Sequence, residues 1–499
     1  MQYVLDSNEM KEVDRYSIEE AGIPSLVLME RAALLVCTVV EEQVKTGGKV
    51  LSVCGVGNNG ADALACARIL SQRGYKTAVC LVGDREHATE EFNTQLSILE
   101  KLCVPTVTLD EITDYDIIID GIFGIGLSRE VSGEYRRAVE WVNASNVPVV
   151  AVDIPSGVDA SSGKILGAAV MADYTVTFGY LKTGQILYPG KTYCGELLVS
   201  ECGFVQKAVE RIPDKKFIYD RDDLERLPAR RQDSNKGTYG NVLVFAGSDN
   251  MSGAAYFSAK AAYRMGAGLV RVMTVKSNKE AIQVLLPEAV LCFYDEISKE
   301  ELLEYVRRAA VIIMGPGLST GKAAGKILYE IFALLSKEDG EGRTKKKVIL
   351  DADALNIIAR DKRQELLKGC IVTPHLGEMA RLTGSTISEI KERLIATAKE
   401  FSETYGCVCV LKDARSVVSD GKQVYLNVSG NSGMSTAGSG DVLTGIIGGL
   451  LAGGMELFEG AVLGTYIHGL AGDAAKERLG EYFMKADDIT DSIKNVIYG

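Results

Sequence analysis

The chain has 499 residues, of which 46% are hydrophobic and 24% charged, and its formal net charge is −12. That length exceeds what a single core usually fills, so two domains are expected, and the acidic balance argues against a nucleic-acid partner, whose phosphates select clustered Lys and Arg. The first residues lack a basic stretch leading into an apolar core, and no apolar run reaches membrane-spanning length. A cytoplasmic chain with no membrane partner is therefore expected.

The first half opens with helical material, Asn8 to Glu20 and then Ser25 to Lys45. Apolar strands then alternate with helices. Lys49 to Val53, Lys76 to Val82, Asp116 to Asp120 and Val147 to Val152 read as strands, Ala61 to Arg73 reads as a helix, and Tyr174 to Phe178 is expected to be the last strand. Near-continuous Val/Ile runs of this kind predict a parallel sheet covered on both faces. From Val209 to Asn235 charge becomes dense and apolar periodicity weakens, which predicts a linker. The alternation restarts with strands at Asn241 to Ala246, Val311 to Met314, Val348 to Asp351 and Val408 to Leu411. Helices are predicted at Ser252 to Met265, Leu443 to Ala452 and Ala461 to Glu477. The basic patch Arg343, Lys345, Lys346 and Lys347 precedes one of these strands and is expected to be a solvated face. The predicted fold is α/β, two doubly wound domains in series.

Eleven scattered cysteines include no CxxC pair, so zinc and thioredoxin-like readings fail. Cys54, Cys66, Cys80 and Cys370 lie in apolar runs and should behave as small hydrophobes.

Ligands of open parallel sheets bind beyond the carboxyl ends of strands. After the first such strand comes Gly55-Val56-Gly57-Asn58-Asn59-Gly60-Ala61-Asp62, opening a helix. Its glycines let backbone amides approach a phosphate, although an Asn-rich helix cap is an equal alternative on this motif alone. Two further strand ends carry Asp120-Gly121-Ile122-Phe123-Gly124-Ile125-Gly126-Leu127 and Asp153-Ile154-Pro155-Ser156-Gly157. Amide, carboxylate and hydroxyl oxygens suit a hard cation such as potassium, or magnesium if the site is tighter.

NNGxD, DxxxGxGL and DIPSG in this order resemble the NAD(P)H-hydrate epimerases across the whole first half. The resemblance implies a Rossmann-like domain over residues 1–212, with hydrated dinucleotide held by Asn58, Asn59, Gly60, Ala61 and Asp62. It adds Gly124, Ile125, Gly126, Leu127, Ser128, Arg129 and Glu130, with Asp153 also at the substrate. It further implies potassium at Asn59, Asp120 and Ser156, and a role in catalysis for Asp153 with Lys182, which follows Phe178-Gly179-Tyr180-Leu181. The chain departs from the family at Ala61 and Ala63, where glycines are usual, and at Leu181, where proline is common.

In the second half, Gly430-Asn431-Ser432-Gly433-Met434 runs on to Thr436-Ala437-Gly438-Ser439-Gly440-Asp441. A glycine-rich loop feeding a helix with a carboxylate at its start builds an anion hole beside a base. A plain glycine-rich cap with Asp441 as dipole partner is the structural alternative. Together with Gly315-Pro316-Gly317-Leu318, Asp351-Ala352-Asp353-Ala354-Leu355-Asn356 and Thr373-Pro374-His375-Leu376-Gly377-Glu378, the motifs resemble the ADP-dependent NAD(P)H-hydrate dehydratases, a ribokinase-like branch. The resemblance covers roughly Asp220 to Tyr498, within a domain expected over residues 213–499, and implies Asp441 as catalytic base. Substrate contacts would be Ala254, Gly317, His375 and Asp441. ADP, with magnesium, would lie on Lys412, Asp413, Ala414, Arg415, Ser416 and Gly440.

The two resemblances explain each other. The first domain would interconvert the R and S hydrates of NADH and NADPH; the second would dehydrate the S form with ADP, giving NAD(P)H, AMP and phosphate. A homo-oligomer is the expected assembly. The rival enzyme is a small-molecule kinase using the same glycine loop, and the rival outside enzymes is a dinucleotide sensor. The sensor has no need of Asp153, Lys182 and Asp441.

Overall fold

The computed structural model describes residues 1–111, 114–340 and 346–498. Arg343 and Lys345 of the basic patch lie outside these, whereas Lys346 Nζ donates to the Arg307 carbonyl at 2.7 Å. The chain divides into two compact units, Gln2–Lys215 and Lys216–Gly499, the latter with Met1.

The first unit contains strands Gln2–Leu5 (β1), Lys49–Gly55 (β2), Lys76–Val82 (β3), Thr106–Val107 (β4), Ile117–Gly121 (β5) and Val149–Val152 (β6). Tyr174–Phe178 (β7), Leu181–Lys182 (β8) and Glu196–Ser200 (β9) follow. Seven of them form a parallel sheet in the order β4-β3-β2-β5-β6-β7-β9. β7 is thus not the last strand: β9 pairs beside it, and its mostly exposed or partly exposed residues hide it from a search for buried runs. The sheet is buried on both sides. Val50, Cys54, Ile117 and Ile119 pack with Ala33, Val36 and Leu64, while Leu51, Val53 and Ile118 pack with Ala138, Val139 and Val142. Neighbours in the chain therefore serve opposite cores, and the strands read as continuous apolar runs. The strand order reverses between β2 and β5, so Gly55 and Gly121 flank the switch point at which doubly wound sheets bind ligands.

The second unit begins with Lys216–Ile218 (β10), then Asn241–Phe245 (β11), Leu269–Thr274 (β12), Val290–Phe293 (β13), Val311–Met314 (β14) and Lys347–Leu350 (β15). It continues with Ile371–Val372 (β16), Val408–Leu411 (β17), Val417–Ser419 (β18) and Val424–Leu426 (β19). The run β13-β12-β11-β14-β15-β16-β17 is parallel, with a reversal between β11 and β14. β18 and β19 add antiparallel, and β10 pairs parallel to β19. The expected linker over Val209 to Asn235 is corrected by β10. Phe217 and Tyr219 are buried, with ring centroids 5.7 and 5.2 Å from that of Tyr425, and Asp220 caps the helical turn Arg221–Arg226. Three residues are too few to show a period, so the charged surroundings dominated the sequence signal.

Among the described residues no helix is long and apolar enough to cross a membrane. Ten of the eleven cysteines are buried and all are free; Cys103 is exposed.

A break between Lys215 and Lys216 is expected to give two fragments that fold alone. The one tryptophan, Trp141, lies in helix Gly133–Ala144, so its fluorescence reports the first unit alone. A cooperative urea transition at the same midpoint in the 1–215 fragment and in the whole chain is the expected result. A broad, noncooperative one would show that the first unit depends on the second.

Two candidate active sites

The first site is built at the switch point. Helix Asn58–Gln72 starts directly after β2, and Gly60 lets it do so: a β-carbon there would sit 1.7 Å from the Gly55 carbonyl oxygen. Asp120 at the end of β5 is buried and accepts hydrogen bonds from Ser156 N at 2.8 Å, Ser156 Oγ at 2.6 Å and Ile122 N at 3.2 Å. Burial pushes its carboxyl up to about 6 against the opposing effect of those donors. Asn59 lies against the same turn; a methyl on Gly124 would be 3.1 Å from its Oδ1. Asn59 Nδ2 is buried with no hydrogen-bond partner among the described residues.

Past β6, Asp153 adopts a left-handed φ of 64°, which turns its side chain back across the strand ends. Its Oδ1 accepts from Lys182 Nζ in a short ion pair, from Phe178 N at 3.0 Å and from Thr177 Oγ1 at 3.2 Å. The Lys182 side chain is wholly buried. Its ammonium also donates to Thr177 Oγ1 at 2.8 Å and the Phe178 carbonyl at 3.0 Å, so every donor has an acceptor. Among the described residues Asp153 Oδ2 receives no hydrogen bond. Asp153 and Lys182 line a cavity of about 910 Å³ together with Asn58, Asn59, Asp62 and the turn from Gly124 to Arg129.

The second site lies at strand ends of the other unit. Helix Ser439–Ala452 begins at Gly438, whose φ of 91° is left-handed, and carries Asp441 in its first turn. A methyl at Gly440 would be 3.3 Å from Lys412 Nζ, which pairs with Asp351 Oδ1 at 2.7 Å. Thr373 Oγ1 donates to that same oxygen at 2.7 Å. Burial raises Asp441 to about 7; Asp351, Asp353 and Glu378 push the same way and Lys412 opposes. Burial would lower the Lys412 ammonium, but Asp351 and Glu378 outweigh it and hold the group above its usual value. His375 bridges to Lys412 through the backbone and caps helix Leu376–Thr383, its Nδ1 accepting from Gly377 N at 3.0 Å. The capping bond leaves Nε2, 3.4 Å from Glu378 Oε1, as the proton-bearing nitrogen of this half-exposed ring.

Two family models match the chain: NAD(P)H-hydrate dehydratase over residues 242–495 and YjeF-related protein N-terminus over residues 25–184. The bifunctional NAD(P)H-hydrate repair enzyme Nnr of Thermofilum pendens is 35% identical over 495 residues, covering 95% of this chain and 92% of that protein. The Nnr of Moorella thermoacetica is 35% identical over 524 residues, covering 99% and 96%. The chain belongs to the bifunctional NAD(P)H-hydrate repair enzymes. Its second unit also matches a solved ribokinase-like superfamily protein from Enterococcus faecalis, with a TM-score of 0.51 and 27% identity, over 56% of this chain and 95% of that one.

The geometry places most residues of this repair-enzyme family pattern together. In the first unit Asn58, Asn59, Asp62, Gly124, Ile125, Gly126, Leu127, Ser128, Arg129, Asp153 and Lys182 line one cavity. Gly60 and Ala61 are buried beneath the turn and Glu130 is exposed; none of the three lines it. Ala63 packs against Gly121, filling space that glycine would leave. In the second unit His375, Lys412, Gly440 and Asp441 converge. Gly317 touches Ala254, whose helix Ser252–Arg264 reaches Asp441 through Ser258 Oγ, 3.0 Å from the Asp441 carbonyl. Asp413, Ala414, Arg415 and Ser416 form the turn between β17 and β18, with Arg415 Nη1 donating to the Val428 carbonyl at 2.8 Å. Sequence reasoning missed the Lys412–Asp351 pair, whose members are 61 residues apart, and the cavity contributions of Asp14, His87 and Glu91.

Proposed function

We propose that the first unit interconverts the R and S hydrates of NADH and NADPH, and that the second removes water from the S hydrate with ADP, giving NAD(P)H, AMP and phosphate. The reading is carried by two separate reactive centres, one per unit, each with a carboxyl group poised beside a lysine. In the second unit Asp441 takes the proton of the ring hydroxyl as that oxygen bonds the terminal phosphorus of ADP and AMP departs. The amides opening helix Ser439–Ala452 face the phosphoryl charge. Phosphate then leaves, a far better leaving group than hydroxide. Lys412 to Ser416 and Gly440 would hold ADP with its magnesium, and Ala254, Gly317 and His375 the hydrate.

In the first unit Asp153, held by Lys182, handles the proton exchanged as the hydroxyl-bearing carbon inverts. The orphaned Asn59 amide lies against the turn that follows Asp120, whose carboxylate is bonded to Ser156 of the next strand end, and a half-turn of that amide exchanges its nitrogen for oxygen. Three oxygen donors then suit potassium. Bound there, the ion would supply positive charge beside the substrate. The two-domain partition, the homo-oligomeric assembly and a cytoplasmic location belong to the same reading.

The test is reconstitution. Purified chain is given mixed hydrate epimers with and without ADP, and reduced-nicotinamide absorbance is followed. Full conversion of both epimers with ADP and potassium is expected, and half conversion when epimerisation fails. Recovery of a stable phosphate ester would instead favour the kinase reading. Unchanged epimerisation when sodium replaces potassium would remove the ion.

A further inference from the structure

We propose that Asp14 is a second catalytic residue of the epimerase cavity, the general acid that removes the hydroxyl of the hydrated carbon as water. This rests on the epimerase reading of the first unit.

Asp14 comes from helix Ser7–Arg15, at the start of the chain and far in sequence from the strand ends. Met10 and Val13 of that helix pack on Ala208, Val209 and Ile212, which fixes its face and leaves Asp14 lining the same cavity as Asp153 and Lys182. Elsewhere on this helix Arg15 pairs at the surface with Glu12, Glu19 and Glu20, and Glu9 accepts from Asp6 N in the capping box. Asp14 takes no part in that network and makes no hydrogen bond among the described residues. Lys11 also lines the cavity but is exposed and makes no ion pair with it.

The charged groups around it explain its state. Burial raises Asp14, and the carboxylates of Asp153 and Glu91 add to that. Asp62 is raised by burial and by the same neighbours, Asp14 included. The other titratable groups at the cavity are Lys11, Asp84, His87, Arg129, Tyr135, Lys182 and the thiol of Cys202, which burial pushes up to about 11. Lys182 is a wholly buried cation, and its donors are committed to Asp153, Thr177 and the Phe178 carbonyl. Asp153 thus carries the ion pair, while Asp14, raised by burial and by its neighbouring carboxylates, is the carboxyl group assigned to donate: two carboxyl groups with opposite duties in one cavity.

Epimerisation needs that division. The hydroxyl-bearing carbon is bonded to the ring nitrogen, whose lone pair can form a C=N bond as the C–O bond breaks. The departing oxygen takes the Asp14 proton and leaves as water. A water then adds to the opposite face of the flat cation, its proton passes to Asp153, and the C=N pair returns to nitrogen. One water leaves and one enters, and solvent carries the proton from Asp153 back to Asp14.

The experiment uses the full chain and the separated R hydrate without ADP. Asp14→Asn is expected to lower the epimerisation kcat by at least about 100-fold with KM changed less than about threefold, and Asp14→Glu to recover part of it. Dehydration of the S hydrate and the Trp141 unfolding midpoint should stay at parent values. In isotopically labelled water the parent should exchange the hydroxyl oxygen as fast as it epimerises. A kcat within about threefold of parent in Asp14→Asn would overturn the proposal. So would a loss confined to KM, a loss seen with Asp62→Asn alone, or epimerisation without oxygen exchange. A parent chain that does not epimerise at all would sink the underlying reading instead.

Discussion

Replacing Asp441 by Asn should lower ADP-dependent dehydration about a thousandfold and leave epimerisation of the same preparation within about twofold. The change keeps shape and hydrogen-bonding capacity while deleting the one group in the first turn of helix Ser439–Ala452 that can accept a proton. Its neighbours cannot stand in: Asp351 is engaged by Lys412 and Thr373, and Glu378 receives the His375 amide at 2.8 Å. The wild-type pH profile gives a second check. With Asp441 raised to about 7 by burial, the base is protonated and idle below that pH. Dehydratase kcat/KM should therefore rise with pH through a midpoint near 7, and the residual rate of Asp441→Asn should lack that limb. An Asn variant that dehydrates at the parent rate would remove Asp441 from the reaction.

Lys182→Met should stop epimerisation and also destabilise the first unit by about 3–5 kcal/mol, because it strands the Asp153 carboxylate in a buried site without its counter-charge. Asp153→Asn tests the same pair from the other side. Asn tolerates the left-handed φ of 64°, so backbone strain is not added and the loss is one of charge. The double variant should regain most of the lost stability, since no charge is left unpaired, yet none of the turnover. Rates and urea midpoints by Trp141 fluorescence separate the two effects. If either single variant keeps parent kcat with only a weaker KM, the pair binds the substrate and does not handle its proton.

The strands with the longest buried runs were legible because burial on both faces writes itself into the sequence: Lys76–Val82, Val311–Met314 and Val408–Leu411 stand where the apolar runs predict. The strand-end motifs were legible for a related reason, since a doubly wound sheet delivers its ligand groups at these turns. What stayed hidden depends on pairing across sequence. β1 joins β8 through Val4↔Leu181 and Leu5↔Lys182, a match that no local pattern encodes. The short antiparallel strands β18 and β19 fall below the length at which a period can be counted. Nothing local marks Asp14, because the helix face that packs on Ala208 and Val209 is fixed by residues nearly two hundred positions later.

The thiols give both units a built-in record of their opening. Seven cysteines lie in the first unit and four in the second, and with ten of them buried a thiol reagent meets Cys103 alone in the native chain. Each further modification then marks a local unfolding event at a known position, from Cys54 beneath the first turn to Cys409 behind Lys412. Mapped by mass after brief exposure, the labelling rates would rank the opening free energies of the two cores within a single intact molecule, and show which of them a bound dinucleotide holds shut.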